Sequence, residues 1–95
     1  MTAYVVVDID VHDAVRYDDY KLLAPPSIAA YGGKYLARAG KTEVLEGTWV
    51  PKRLVILEFP NAEQAKKWLN SPEYSAARQL RHATATSNMV VIEGL

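Results

Sequence analysis

The strongest constraint on the fold is a pair of short segments that are apolar on both faces of a strand. Residues 3–11 read AYVVVDIDV and residues 54–59 read LVILEF. Successive side chains of a strand point to opposite faces, so Val5 and Val7 face one way while Tyr4 and Val6 face the other. Soluble proteins rarely leave a large apolar sheet face in water. We therefore expect both segments to be central strands that are covered on both sides.

The chain after the first strand is predicted to be helical. Asp13 is a good N-cap, and Tyr17, Tyr20 and Ala24 recur at helical spacings of three and four. The proline pair at 25–26 lacks amide protons, so it should break or kink the helix and leave a second short piece, SIAAY.

Gly32 and Gly33 follow that piece, where a helix must stop and the chain must turn into a strand. Glycine takes positive φ there without steric cost. A phosphate-binding glycine loop precedes a helix, whereas this pair follows one. We therefore expect the two glycines to be structural.

A hairpin is predicted next, because KYLARA and TEVLEG flank Gly40-Lys41 and glycine at the first central position suits a type II′ turn. That register places Arg38 opposite Glu43, where a cross-strand ion pair would form. It also places Glu46 beside Tyr35 and other apolar residues. Such a carboxylate needs a hydrogen-bond donor or an arginine, unless this end of the hairpin is open to water.

Two further helices and a strand complete the pattern. Asn61 caps a helix that runs to Asn70, and Ser71-Pro72 starts another that ends near Thr84. Residues 89–93, MVVIE, form the last strand. The order βαββαβ predicts a single α+β domain over residues 1–95, with the ferredoxin-like arrangement and strand order 4-1-3-2. Helices can cover only one face of this sheet, so we expect a second copy of the chain to cover the other and form a homodimer.

Composition narrows the possible partners. Eleven basic residues balance eleven acidic ones and no basic stripe is present, which argues against nucleic-acid binding. Cysteine is absent, so disulfides, thiolate metal sites and thiol nucleophiles are excluded. The sequence holds neither a paired-histidine motif nor a segment with the apolar length of a membrane span. We expect a cytoplasmic protein that needs no metal or redox cofactor.

The arginines and tyrosines are the candidate ligand-binding residues. Helical geometry puts Tyr74 and Arg81 on one side of the last helix, where both could lean over the sheet. They would either cover the rim of the core or bind a ligand. Arg53 enters a central strand, where a guanidinium could hold a carboxylate or pair with Glu46. Arg38 remains a candidate if it does not pair with Glu43.

Other polar residues are expected to be structural. His12 and His82 should lie at the surface, with His12 as general base and a haem-binding His82 as the weaker alternatives. Asp8, Asp10 and Asp13 could offer oxygen ligands to Mg²⁺ or Ca²⁺, but their spacing matches no loop motif. A solvated strand end is the favoured interpretation of these three carboxylates.

The motif set resembles one family over nearly the whole chain. Its residues are Gly32-Gly33-x-Tyr35-Leu36-x-Arg38-x-Gly40, Glu46-Gly47-x-Trp49-x-Pro51-x-Arg53, Ala65-x-x-Trp68-x-x-Ser71-Pro72-Glu73-Tyr74 and Arg81. This pattern is similar to the domain-of-unknown-function family 1330, although Ala39 stands where some relatives are expected to have glycine. The resemblance implies a dimeric α+β barrel, in a superfamily that includes cofactor-independent monooxygenases, lactone isomerases and haem enzymes. It implies no catalytic residue.

The expected function is therefore small-molecule binding in a pocket between sheet and helices. Arginine and tyrosine at its rim favour a small organic acid or an enolisable carbonyl compound. In an enzyme, arginine would stabilise an oxyanion, while a tyrosine or Glu46 would move a proton. The alternative is a non-catalytic dimeric binding or stress-related protein.

Overall fold

A computed structural model describes residues 1–95 and contains four strands and three helices. In chain order these are β1 (Ala3–Val11), α1 (Ala14–Ala30), β2 (Lys34–Arg38), β3 (Leu54–Phe59), α2 (Ala62–Leu69), α3 (Pro72–Thr84) and β4 (Ala85–Glu93). The strands form one antiparallel sheet in the order β2-β3-β1-β4. The predicted ferredoxin-like α+β fold and its strand order are confirmed.

The helices pack on one face of the sheet and enclose the core. Alternate residues of β1, Val5, Val7 and Ile9, are buried on this face. Trp68 on α2 and Tyr74 on α3 are 1% and 0% exposed, so they occupy the centre of the helix layer. None of the three helices is long and apolar enough to cross a membrane.

The other face of the sheet, which we call the open face, has no helix over it. Val6 at its centre pairs directly with Ile56 of β3 and with Val90 of β4. Val90 and Ile92 are 62% and 60% exposed, although both are large and apolar. The open face is therefore hydrocarbon in contact with water, as the two-sided pattern of the strands indicates.

Helix α1 passes through the proline pair without ending, so the prediction of two separate helical pieces is wrong. Pro25 has no amide proton to donate to the carbonyl of Lys21, four residues earlier. Nη2 of Arg38 donates to that oxygen instead, at 2.9 Å. A side chain from β2 thus compensates for the hydrogen bond that the proline removes.

The glycine pair ends α1 as predicted. Gly32 has a φ of +76°, and the amides of Gly32 and Gly33 donate to the carbonyls of Ala29 and Ile28. A Cβ on Gly33 would lie 2.6 Å from Cε1 of Phe59, so no larger residue fits without displacing the core.

The predicted Gly40-Lys41 hairpin is wrong. Strand β2 ends at Arg38 and pairs with β3, with Arg38 opposite Val55. Ala39 carries the positive φ of 56°, and residues 39–53 form an irregular connection that we call the arm. Pairing with the apolar β3 buries more hydrocarbon than pairing with the polar TEVLEG segment, so the long-range partner prevails over the local turn signal.

The helix caps are confirmed at both later helices. The side chain of Asn61 accepts from the amide of Gln64, and Ser71 accepts from the amide of Tyr74. Strand β4 begins at Ala85 rather than at residue 89, because α3 leads directly into it.

Candidate functional site

A small cavity with polar residues in its wall lies between α1 and the helix-covered face of the sheet. We call it the polar cavity. Its volume is about 20 Å³, which is room for one water-sized group. The polar or charged side chains that line it are Tyr17, Tyr20 and Lys21 of α1, Tyr35 and Arg38 of β2, and Arg53 at the start of β3. No carboxylate lines it.

The guanidinium of Arg53 points partly into the protein, so that its Nε atom is buried. Its guanidinium carbon lies 5.5 Å from the centre of the Tyr17 ring, within range of a cation–π contact. Its Nε atom is buried and has no hydrogen-bond partner. A buried donor without an acceptor is costly, so this atom marks a place where an anionic or carbonyl oxygen would be stabilised.

Tyr74 and Arg81 form a second layer behind the polar cavity. Nε of Arg81 donates to the hydroxyl of Tyr74 at 3.2 Å, and the hydroxyl of Tyr74 lies 2.7 Å from that of Tyr20. Arginine can only donate, so the proton of the buried Tyr74 hydroxyl is best placed in the bond to Tyr20. Tyr20 is then free to donate its own proton into the cavity.

The three lining tyrosines are held in their neutral form. Burial raises the pKa of Tyr20 far above its ordinary value, and the adjacent Tyr74 adds to the shift. Burial also raises the pKa of Tyr17 and of Tyr35, although Arg53 and Arg38 respectively oppose the shift. Phenols of this kind donate hydrogen bonds and are poor bases at neutral pH.

Arg38 lies at the mouth of the polar cavity. Its guanidinium carbon lies 4.7 Å from the centre of the Tyr35 ring, and its Nη2 holds the Lys21 carbonyl. The predicted ion pair with Glu43 is wrong, because Glu43 lies on the arm and contacts Lys41 at 3.9 Å.

Glu46 lies outside the polar cavity. It is exposed on the arm, and it makes no ion pair with Arg53 or with any other residue. The predicted Glu46–Arg53 pair depended on the hairpin register, so it fails with the hairpin.

The structure thus brings four of the five candidates together. Arg53 and Arg38 line the polar cavity, and Tyr74 and Arg81 stand behind it. The helical spacing of Tyr17 and Tyr20 predicted one face of a helix but not their place in the wall of the cavity. The available signal was a pair of phenols at helical spacing, Tyr17 and Tyr20, on a helix face that also has to meet two arginines.

Asp8 anchors the arm to the sheet. One carboxylate oxygen accepts from Nε1 of Trp49 at 3.0 Å, and the other accepts from the amides of Lys52 and Arg53 at 2.9 and 3.3 Å. The carbonyl of Arg53 in turn accepts from the amide of Ile9 at 3.0 Å. Asp8 is therefore not the solvated strand end that the sequence favours, since it fixes the backbone that presents Arg53 to the cavity.

Replacing Asp8 by alanine should lower the free energy of unfolding by about 1–3 kcal/mol, because a charged acceptor of three hydrogen bonds is lost. The matched variant Asp10→Ala, at an exposed position of the same strand, should change it by less than about 0.5 kcal/mol. Urea unfolding of both variants measures the difference. Equal stabilities would show that the anchor does not contribute.

The effect of Asp8→Ala on the free energy of unfolding should depend on pH in a definite direction. The hydrogen bond from Trp49, with those from Lys52 and Arg53, holds the pKa of Asp8 below its ordinary value. Its stabilising contribution is therefore present above the unfolded-state pKa and is lost as the pH falls through the folded-state pKa. The stability difference between wild type and Asp8→Ala should shrink on acidification over that range.

Both histidines are exposed, as predicted. A ring nitrogen of His12 lies 3.1 Å from the hydroxyl of Thr86. Slight desolvation by neighbouring atoms, together with the charges of Arg81 and Arg78, lowers the pKa of His82. No group of three or more histidine, aspartate or glutamate side chains is placed to hold a metal ion, so Asp8, Asp10 and Asp13 do not form one.

The family of this chain is shown by its match to a known family model. The model of the family described as "Domain of unknown function (DUF1330)" matches residues 2–95. The chain belongs to the DUF1330 family. A sequence comparison with curated proteins finds no match for this DUF1330 chain.

Solved structures share the fold of this DUF1330 protein at low sequence identity. A protein of unknown function from Rhodopseudomonas palustris is 18% identical with a TM-score of 0.81, covering 99% of this chain and 82% of that one. SnoaB, a cofactor-independent oxygenase from Streptomyces nogalater, is 11% identical with a TM-score of 0.68, covering 99% and 93%. A dimeric protein of unknown function with a ferredoxin-like fold, from Bacteroides fragilis, is 19% identical with a TM-score of 0.63, covering 98% and 96%.

Proposed function

We propose that this protein binds a small organic acid or an enolisable carbonyl compound, with the carboxylate or carbonyl group of the ligand in the polar cavity. The proposal rests on one observation: the arginines at the cavity have no acidic partner. Arg38, Arg53 and Arg81 all belong to the cavity or its second layer, and none of them takes part in any of the chain's four ion pairs. Arg81 is buried and Arg53 is partly buried, whereas Arg38 is exposed. Charge that is removed from water is normally paired, so an anionic ligand is the partner that this arrangement lacks.

Within this proposal each side chain has a distinct task. Arg53 meets the carboxylate or the carbonyl oxygen, and Tyr20 donates its hydroxyl proton to the same group. Arg81 acts through Tyr74, because its hydrogen bond orients the Tyr74 hydroxyl toward Tyr20. Arg81 and Tyr74 are therefore positioning residues.

The same donors would stabilise an enolate if the protein is a cofactor-independent enzyme. An arginine and a neutral phenol aimed at one oxygen form an oxyanion-binding arrangement. The fold shared with SnoaB, a cofactor-independent oxygenase, supports this reading. A general base is the missing part, since Glu46 is outside the cavity and no carboxylate lines it. That absence favours the alternative function, a non-catalytic dimeric binding or stress-related protein.

We also propose that the protein is a cytoplasmic homodimer that assembles through the open face. The exposed hydrocarbon of Val90 and Ile92 supports this assembly, and the Bacteroides fragilis protein of the same fold is described as dimeric. The polar cavity lies on the helix-covered side of the sheet, so assembly through the open face does not cover it. The balanced charge gives no support to a nucleic-acid partner.

Acetoacetate, an acid with an enolisable carbonyl group, should raise the melting temperature of the wild-type protein. A ligand at 100 times its dissociation constant adds about 2.7 kcal/mol to the free energy of unfolding. Replacing Arg53 by leucine should abolish this stabilisation and leave the oligomeric state unchanged. The control Arg16→Leu removes an exposed guanidinium that does not line the cavity, and this variant should keep the stabilisation.

Two results would contradict the proposal. One is the absence of any thermal stabilisation by acetoacetate and by other small carboxylates. The other is an Arg53 variant that is unfolded, which would make the arginine purely structural. Exchange of the α-protons of acetoacetate for deuterium, followed by NMR, separates the two functions. Acceleration over the protein-free rate indicates an enzyme, and binding without acceleration indicates a non-catalytic protein.

A further inference from the structure

A second cavity lies between α2 and β4, on the side of the core away from Arg53. Its volume is about 140 Å³, and we call it the apolar cavity. Its wall is formed mainly by Val5, Ala65, Trp68, Leu69, Met89 and Val91. The one charged residue that lines it is Lys66, an exposed residue of α2.

The two cavities share part of their walls. Trp68 and Met89 line both of them. Trp68 is fixed at the centre of the core, with 1% of its surface exposed. Met89 is only partly buried, and its unbranched side chain has three rotatable bonds that let it fill or vacate irregular space. The partition between the cavities is therefore thin, and one of its two members can move.

The volumes of the two cavities are complementary. The polar cavity, at about 20 Å³, accepts one water-sized group beside Arg53. It has no room for the carbon skeleton of an acid. The apolar cavity, at about 140 Å³, approaches the size at which an engineered apolar cavity binds a benzene molecule. A skeleton that extends from the polar cavity past Met89 would enter this space.

We infer that the ligand is an amphipathic monocarboxylate whose head binds Arg53 and whose apolar tail fills the apolar cavity. This inference rests on the proposed function of the polar cavity and names the chemical class of its ligand. Arg53 and Tyr20 supply the polar contacts at one end, while Val5, Leu69 and Val91 supply the hydrocarbon at the other. Met89 moves aside to let the tail pass.

Straight-chain acids test the inference directly. Acetate, butanoate, hexanoate and octanoate are titrated into the wild-type protein by calorimetry. Each methylene that enters the apolar cavity should lower the dissociation constant about fourfold, the factor that corresponds to about 0.8 kcal/mol per buried methylene. The gain should stop when the tail fills the space.

The variant Val91→Phe should fill part of the apolar cavity and so remove the space for the tail. Val91 lines the apolar cavity but is 39% exposed, so a larger ring can enter the cavity without overpacking the centre of the core. In this variant acetate should bind as in wild type, and the gain with chain length should disappear. Val15→Phe, at a position of α1 that is 82% exposed, is the control and should keep the full gain.

A measurement on the wild-type protein makes the result independent of how the variant folds. The terminal methyl of bound octanoate should show a nuclear Overhauser effect to the methyl groups of Leu69, which line the apolar cavity but not the polar one. Arg53→Leu should weaken every acid in the series, because all of them share the head group.

The outcomes separate the two proposals. If acids bind in an Arg53-dependent way but their affinity does not change with chain length, the tail inference is overturned and the proposed function stands. The same holds if Val91→Phe is folded and keeps the full gain, or if the octanoate methyl contacts no Leu69 methyl. In the opposite orientation, octanoate would bind with its carboxylate beside Lys66 of the apolar cavity instead of Arg53. Binding that survives Arg53→Leu but is lost in Lys66→Ala would show this orientation and would overturn the inference. If no acid binds at all, the proposed function fails and the inference fails with it.

Discussion

Replacing Val6 by aspartate should convert the proposed dimer to a monomer. Val6 lies at the centre of the open face, between Ile56 and Val90. In a symmetric assembly through this face the substitution places a new carboxylate from each copy against the apolar surface of the other. A buried, unpaired charge costs several kcal/mol, so association at micromolar concentration should be lost. Sedimentation should show about twice 10.6 kDa for wild type and 10.6 kDa for the variant.

The same change at an unrelated position provides the control. Val15→Asp alters a residue of α1 that is 82% exposed on the other side of the molecule, and it should remain dimeric. Circular dichroism checks that both variants are folded. A wild-type protein that sediments as a folded monomer at this concentration would contradict the proposed assembly itself, whatever the variants do.

The arm enlarges the surface available to a second copy. It carries Val44, Leu45, Trp49 and Val50, which are 45%, 94%, 61% and 62% exposed. Only Asp8 ties the C-terminal part of the arm to the sheet by side-chain hydrogen bonds, and it does so from the open face. The arm therefore extends the apolar area beside the strands, and a stable dimer needs an interface of more than about 1,000 Å².

The fold could be predicted because its signals are local and agree with one another. The period-two pattern of β1, the caps at Asn61 and Ser71, and the positive φ of Gly32 each depend on a few neighbouring residues. When such signals all point to the same order of elements, few topologies remain. Strand order then follows from placing the most apolar strands at the centre.

The arm and the proline helix could not be predicted, because distant residues decide them. The partner of β2 is β3, across the whole arm, and the hydrogen bond that replaces the one lost at Pro25 comes from Arg38. A sequence window around Gly40 contains a turn signal but not the competing strand. Local propensity is therefore overruled by pairing that only the complete fold supplies.

The candidate site could be predicted only in part for a related reason. Helical geometry correctly put Tyr74 and Arg81 on one side of α3, where they are hydrogen-bonded. It could not show that Tyr20 would stand between them and a cavity. A buried tyrosine on a helix has the same spacing whether it packs against the core or lines a pocket. Asp8 was misjudged similarly, since its three donors come from the arm.

Replacing Trp68 by alanine should lower the free energy of unfolding by about 3–5 kcal/mol, the usual range for a fully buried tryptophan. Its ring packs 4.2 Å from that of Tyr74 and 5.4 Å from that of Phe59, and its Nε1 donates to Ser27 at 3.1 Å. A domain of this size has a total stability of about 5–14 kcal/mol. The variant should therefore lose a large fraction of it, which urea unfolding at one protein concentration measures.

Trp49→Ala makes the same chemical change at the second of the chain's two tryptophans. Trp49 is 61% exposed and contributes one hydrogen bond to Asp8, so its loss should cost about 1 kcal/mol. Equal losses in the two variants would contradict the placement of Trp68 at the centre of the core. The Trp68 variant should also join the polar and apolar cavities, because the indole lines both. Added indole should then raise its melting temperature but not that of Trp49→Ala, since only the first variant leaves an enclosed apolar space of the right shape.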